Sequence, residues 1–288
     1  MSTFALKIAY LGSNFSGFAR QPRQRSVQGE LEQSLTRLLD QPIVLACAGR
    51  TDAGVHALGQ IISFVVKPEM LTHSARLLQP SLLQRALNAD LPKDIFCRGA
   101  KLAPEAFSAR FDARARTYRY LICQERPLFI HAWWLRRHPL DLAAMREAAA
   151  LLIGEHDFKS FCVAKSAAAL EARGLSTCRE LIQLKLFRRS VLGQPCLVVE
   201  VTGNAFLHSM VRTMVGTLVK VGLGQRDPSW VAEVLAARSR AAAGDSAPAD
   251  GLYLWSVDYD YCHGALCCRI RPEAAFSQGP RVAPARGL

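Results

Sequence analysis

The order of apolar patterns along the chain limits its folds more than any other feature. Residues 4–10 alternate, with Phe4, Leu6, Ile8 and Tyr10 on one face, which predicts a strand. Over 26–39, Val27, Leu31, Leu35 and Leu38 recur at helical spacing, and Ser26 stands where an N-cap belongs. Strands are expected over 43–48 and 60–66. A mostly helical stretch over 71–88 is interrupted at Pro80, and a strand follows over 95–102. This order is β-α-β-β-α-β, the split βαβ or ferredoxin-like plan. The second half repeats it. A strand over 117–123 leads to a helix over 141–153 that starts near Asp141. Strands over 180–187 and 196–201 are joined by a turn at Gly193-Gln194-Pro195. An apolar helix over 206–221, a short helix over 228–238 begun by Pro228 and a strand over 251–259 complete the series. The expected fold class is α+β. Two ferredoxin-like (RRM-like) halves, 1–105 and 106–265, would form one large antiparallel sheet with helices on one face and a cleft on the other. Pro, Gly, Ala and Arg dominate the basic tail 266–288, which is expected to be disordered.

Composition bears on the partner. The 36 Lys and Arg exceed the 24 Asp and Glu by 12, a balance that favours a polyanion such as nucleic acid. The nine cysteines form no Cys-x-x-Cys pair, and Cys262-His263 with Cys267-Cys268 makes a poor tetrahedral frame, so zinc is not expected. Cysteines scattered through apolar runs suit a reducing cytoplasm. The first residues lack the basic and apolar segments of a signal peptide, and no uncharged apolar run reaches membrane-spanning length.

Three clusters carry the chemistry. The first is AGRTDAGVHALGQ, residues 48–60, between two expected strands. Three glycines among Arg50, Thr51, Asp52 and His56 allow a large partner to approach the backbone closely. A carboxylate held there could serve as nucleophile, base or metal ligand; a plain turn would need fewer glycines. Asp52 and His56 have no further carboxylate or His at ligand spacing, so a metal is not expected. The second is FSARFDARARTYRYLI, residues 107–122, where Arg110, Arg114, Arg116 and Arg119 interleave with Phe107, Phe111, Tyr118 and Tyr120. Cations among aromatics suit phosphates and stacked bases, although a solvated strand face would read the same way. The third is GNAFLHSMVRTMVGTLVKVGLG, residues 203–224, an apolar helix with Arg212 in its middle. A buried guanidinium wants a carboxylate, and Asp52 is the candidate; the alternative is an Arg that snorkels at the helix edge.

The blocks AGRTDAGVHALGQ, TYRYLI, FLHSMVRTMVGTLVKVG and APADGLYL, with VQGELEQSL near the start, resemble the tRNA pseudouridine synthase A family in sequence and in order, over about residues 4–260. The resemblance implies conversion of uridine to pseudouridine in the anticodon stem-loop of tRNA, around positions ~38–40, with the target base flipped from its stack. It implies no cofactor and no metal. It implies a homodimer with tRNA lying across both subunits. Asp52 matches the family's catalytic Asp, which attacks the nucleoside at C1′ or at uracil C6. Arg212 matches the Arg that pairs with it, and Tyr118 the tyrosine that packs on the target uracil and helps move the C5 proton. Leu252 matches an apolar pocket wall, and Arg50 an Arg that fills the gap left by the flipped base. Arg20, Arg23, Arg25 and Arg110 are expected to contact RNA. Where the family usually has a YDG…GW pattern after its first strand, this chain has Tyr10-Leu11-Gly12 and Gly17-Phe18.

The rival reading is a non-catalytic RNA-binding protein with RRM-like domains. The chain lacks the aromatic RNP stretch of such domains, the H-x-E and P-C-x-x-C signature of zinc deaminases, and any G-x-G-x-x-G or P-loop motif.

Overall fold

The computed structural model describes residues 1–71, 74–135 and 139–260. The chain forms a mixed α+β structure around one large, mostly antiparallel sheet. Strands β1 (Ser2–Tyr10), β2 (Ala46–Cys47), β3 (His56–Val66) and β4 (Ile95–Ala103) come from the first part of the chain. Strands β5 (Ala113–Cys123), β6 (Trp133–Trp134), β7 (Gly154–Asp157), β8 (Cys178–Val191), β9 (Gln194–Gly203) and β10 (Leu252–Tyr259) come from the second. Their spatial order is β4-β1-β3-β10-β5-β9-β8-β7, with β2 on β3 and β6 on β5. Six α-helices accompany them among the described residues: α1 (Val27–Leu39), α2 (Pro80–Asp90), α3 (Leu142–Ala150), α4 (Ala164–Glu171), α5 (Met210–Gly222) and α6 (Trp230–Ala237). Among the described residues no helix is long and apolar enough to cross a membrane.

The sequence pattern explains most of these elements. Phe4, Leu6, Ile8 and Tyr10 are buried on β1, and Val27, Leu31, Leu35 and Leu39 on α1. Ser26 caps α1 by accepting the Gly29 N–H. Asp141 caps α3 in the same way at two amides.

Several boundaries differ from expectation for identifiable reasons. The strand expected over 43–48 shrinks to Ala46–Cys47. The amides of Ile43 and Leu45 bond to side chains of α1 instead, Thr36 Oγ1 and Glu32 Oε1. Pro80 does not interrupt a helix but opens one: it sits in the first turn of α2, where no N–H is needed. Before it, 75–78 form a separate 3-10 turn. The hairpin between β8 and β9 turns at Leu192-Gly193, both at positive φ, one residue earlier than expected. Elements β6, β7 and α4 had no clear periodicity and were not expected. Residues 261–288, including the tail and the Cys262–Cys268 group, lie outside the described residues.

Two joins position everything that follows. β10 pairs with β5 in antiparallel register from Leu252↔Tyr120 onward. It also pairs in parallel with β3, through Tyr253↔His56 and Leu254↔Ala57. The approach is close: a Cβ at Gly59 would collide with the Trp255 carbonyl. Helix α5 is buried almost all round, and at Gly216 it lies against the chain at Asp245.

Gly216→Ala tests this packing. Inside a helix Ala is favoured over Gly by about 1 kcal/mol. Here the added methyl would collide with the Asp245 carbonyl oxygen. The expected net result is destabilisation by about 2 kcal/mol in urea unfolding, since overpacking costs about 1–3 kcal/mol and backbone cannot rotate away. A variant as stable as the parent would refute the close packing.

Candidate active site

The loop 48–55 is fixed from below before any side chain is aimed. Gln60 on β3 donates to the Gly49 carbonyl (2.6 Å) and accepts its N–H (3.4 Å). Thr51 accepts the Phe18 N–H at its carbonyl and shares a buried hydrogen bond with the Tyr10 hydroxyl (2.8 Å). Gly54 has φ +79°, a conformation that glycine adopts without strain. A Cβ at Gly12 would collide with the Val55 carbonyl, so segments 12–18 and 51–55 are in backbone contact.

The loop presents Asp52 to the N-terminus of α5. Arg212 Nη1 lies 3.3 Å from Asp52 Oδ2, and the Ser209 hydroxyl donates to the same oxygen at 2.8 Å. His208 Nε2 stands 3.5 Å from the other oxygen, Oδ1. Arg212 is in turn oriented by its Nε, which donates to the Ala247 carbonyl (2.8 Å). The expected ion pair therefore forms. Arg212, however, is not mid-helix: α5 begins at Met210, so Arg212 belongs to the first turn, and 206–209 is the turn that feeds it. A carboxylate at that end is favoured by the unpaired amides and the helix dipole.

A cavity of about 1010 Å³ opens beside the pair. Tyr118 and Leu252 line it and are themselves buried. The Tyr118 ring meets Phe206 edge-on at 5.0 Å between centroids. Burial pushes the Tyr118 hydroxyl well above its ordinary value, with Arg116 opposing and Asp52 adding to the rise, so it is a neutral phenol at any working pH. Arg50 and Arg110 stand exposed on the rim, the Arg110 guanidinium over the Phe111 ring. The other expected RNA contacts lie on the surface near segment 12–28. Arg20 is exposed, 3.6 Å from Glu32. Arg23 is exposed at positive φ. Arg25 holds Asp94 through both ends of its fork (2.7 and 2.9 Å) and Glu30 through Nε (2.9 Å).

Arg116, expected only as one cation of the second cluster, donates to four backbone carbonyls, those of Ala48, Arg110, Ala113 and Asn204, and so ties the Asp52 loop to the segment leading into α5. Periodicity could not separate it from a surface cation, so its role as a tie was not foreseen. Ser209 and His208 gave no signal, because their partner is more than 150 positions away.

His56 is completely buried and lies next to His131 and Asp250, a grouping that sequence spacing could not show. Its Nδ1 accepts the Gly12 N–H (3.0 Å). Nε2 therefore carries the ring hydrogen and donates to the Asp250 carbonyl (3.1 Å). So held, His56 is a clamp between the Asp52 loop and the segment 247–251. A metal at Nε2 would need the opposite tautomer.

The comparisons with known proteins agree with one another. A family model described as tRNA pseudouridine synthase matches residues 7–112 and 148–260. The chain is 42% identical over 258 residues to a protein of Pectobacterium atrosepticum, 41% over 259 to one of Thermosipho africanus and 40% over 273 to one of Vibrio parahaemolyticus. Each of the three is named tRNA pseudouridine synthase A. The matches cover 88%, 89% and 93% of this chain and 85%, 99% and 96% of those proteins.

The His56 clamp has a pH signature. Burial first, then His131, hold its pKa below the ordinary 6.5, against the pull of Asp250. As pH falls below about 6.5 the unfolded chain takes up a proton that the folded chain resists, so stability present above that pH is lost below it. Urea midpoints should be flat above about pH 7 and fall below about pH 6.5. His56→Gln should be less stable at pH 8 and lose part of that slope. An unchanged slope would refute the neutral clamp.

Proposed function

The chain belongs to the tRNA pseudouridine synthase family and isomerises uridine to pseudouridine in tRNA, and on that premise we propose that Asp52 is the nucleophile. The observation that carries the reading is the Asp52–Arg212 pair at the wall of a cavity lined by Tyr118 and Leu252. The guanidinium keeps the carboxylate charged and aimed. By either route, attack at C1′ or addition at C6, the net change is the same. The C1′–N1 bond breaks, its electron pair leaving with uracil. The ring turns, and a C1′–C5 bond forms as the carboxylate is released. C5 loses its proton to solvent and N1 gains one. No second carboxylate is needed, as expected for covalent catalysis by one nucleophile.

The other residues take roles consistent with their placement. Tyr118, a neutral phenol, stacks on the uracil rather than acting as a phenolate base. Leu252 is the apolar wall. Arg50, on the rim, fills the gap left by the flipped base, whose extrusion from the stem costs a few kcal/mol. The substrate region is the anticodon stem-loop, around positions ~38–40, engaged partly through phosphates by the excess of basic residues. Arg20, Arg23 and Arg110 are the contacts most available to it; Arg25 reaches RNA only by leaving Asp94 and Glu30.

We read the sheet as two ferredoxin-like halves, 1–105 and 106–265. With the short strands β6 and β7 of the second half left out of the count, β4-β1-β3-β2 and β10-β5-β9-β8 have the same order, fourth-first-third-second. The enzyme acts as a cytoplasmic homodimer, with tRNA across both subunits.

The test uses unmodified tRNA tritiated at uracil C5. The parent enzyme should release tritium. Asp52→Asn should lose on the order of 1000-fold or more in rate while still binding tRNA. Arg212→Ala should lose most of the rate as well. Tritium release by Asp52→Asn at the parental rate would end the nucleophile reading.

A further inference from the structure

Ser209 occupies the cap position of α5 but does not cap it. Its backbone is left-handed, φ +58° and ψ 11°, a region that residues other than glycine enter at a cost. The chain supplies its own contrast. Ser26, at the start of α1, is extended at φ −136° and turns its oxygen onto the Gly29 amide, the usual use of serine there. At Ser209 the helix forgoes that bond, and the hydroxyl points away to donate to Asp52 Oδ2 at 2.8 Å. The neighbouring backbone braces this arrangement. The Ser209 carbonyl accepts the Thr213 amide, and the His208 carbonyl accepts the Val163 amide. The His208 ring is bonded at Nδ1 to the Ser166 hydroxyl of α4 (2.7 Å).

Two local costs, backbone strain and a lost cap, thus accompany one interaction, and that interaction is with the working carboxylate. Its geometry is also asymmetric. Both close donors, Ser209 and Arg212, converge on Oδ2. Among the described residues no hydrogen bond to Oδ1 is formed, and His208 Nε2 stands 3.5 Å from it, beyond a good hydrogen bond. A lone pair that is already hydrogen-bonded is a poorer nucleophile than one that is not.

We propose that Ser209 is a positioning residue for the isomerisation: with Arg212 it anchors Oδ2 of Asp52, and so assigns Oδ1 as the oxygen that bonds to the nucleoside. The proposal rests on the reading of Asp52 as nucleophile.

Substitutions at Ser209 separate this role from a structural one, because activity should not follow stability. Ser209→Gly relieves the left-handed backbone but removes the hydroxyl. Its Tm should change by no more than a few °C, because relief of the backbone offsets part of the lost hydrogen bond. Its kcat for tritium release should fall about 10-fold, the effect of losing one hydrogen bond to a charged group, with little change in KM. Ser209→Thr keeps the hydroxyl on a β-branched residue that suits positive φ poorly, so Tm should fall while most of the kcat lost in Ser209→Gly returns. Leu192→Gly is the control. Leu192 also has positive φ (48°), but lies exposed in the β8–β9 turn, so Tm should rise with kcat unchanged. Full kcat in Ser209→Gly would overturn the proposal, and so would a kcat that follows Tm across the Ser209 series. Asp52→Asn, run alongside, keeps the two readings apart. If it turns over, the nucleophile reading fails. If it is silent while Ser209→Gly is fully active, only the role of Ser209 fails.

Discussion

Two residue pairs in parallel register, Tyr253↔His56 and Leu254↔Ala57, hold β3 against β10, and the site depends on that short ladder. Parallel strands begin at the same edge of a sheet. The loops that precede them must therefore meet. Before β3 comes the loop carrying Asp52, and before β10 comes the segment 247–251. That segment catches the Arg212 side chain at the Ala247 carbonyl and accepts the Tyr120 hydroxyl at the Pro248 carbonyl and the His56 ring at the Asp250 carbonyl. An antiparallel join would put these loops at opposite ends of the strands. With the parallel one, a carboxylate and a guanidinium 160 positions apart reach 3.3 Å.

Electrostatics at the site follow from who satisfies whom. Arg212 has a carboxylate. Arg116 has only carbonyls, so its charge is hydrogen-bonded but not neutralised. Burial lowers its pKa, and a guanidinium stays protonated in proteins. The cavity thus keeps a positive lining, with Arg50 and Arg110 at the rim. That suits a polyanion whose phosphates must pass close by while one uncharged base enters. Burial keeps Tyr118 a neutral phenol at the wall of the same cavity.

Much of this was legible in the residues. The alternation of β1 and the spacing of α1 were clear because the large apolar side chains of each are gathered on one buried face. The Asp52 loop stood out because of its three glycines, of which Gly54 and Gly59 lie against the protein's own chain, at Ala249 and Trp255. An arginine in an apolar stretch called for either a carboxylate, with Asp52 the candidate, or an exit at the helix edge, and the structure holds the first. Other features were hidden for physical reasons. Residues 43–45 look like a strand because Ile43 and Leu45 are buried, but their amides are taken by side chains of α1, which alternation cannot report. Small, alanine-rich α4 has too little apolar contrast to read as an amphipathic helix.

Local chemistry along the chain determined which segments bend, which bury a face and which residue types could act: one carboxylate, one apolar-flanked arginine and one tyrosine on a strand. Tertiary structure alone decided which atoms meet. Whether Ser209 caps its helix or turns to Asp52 depends on a loop more than 150 residues earlier in the chain. Whether His56 is a ligand or a clamp depends on the Gly12 amide and the Asp250 carbonyl. These are distances between segments brought together by strand pairing, and no local pattern encodes them.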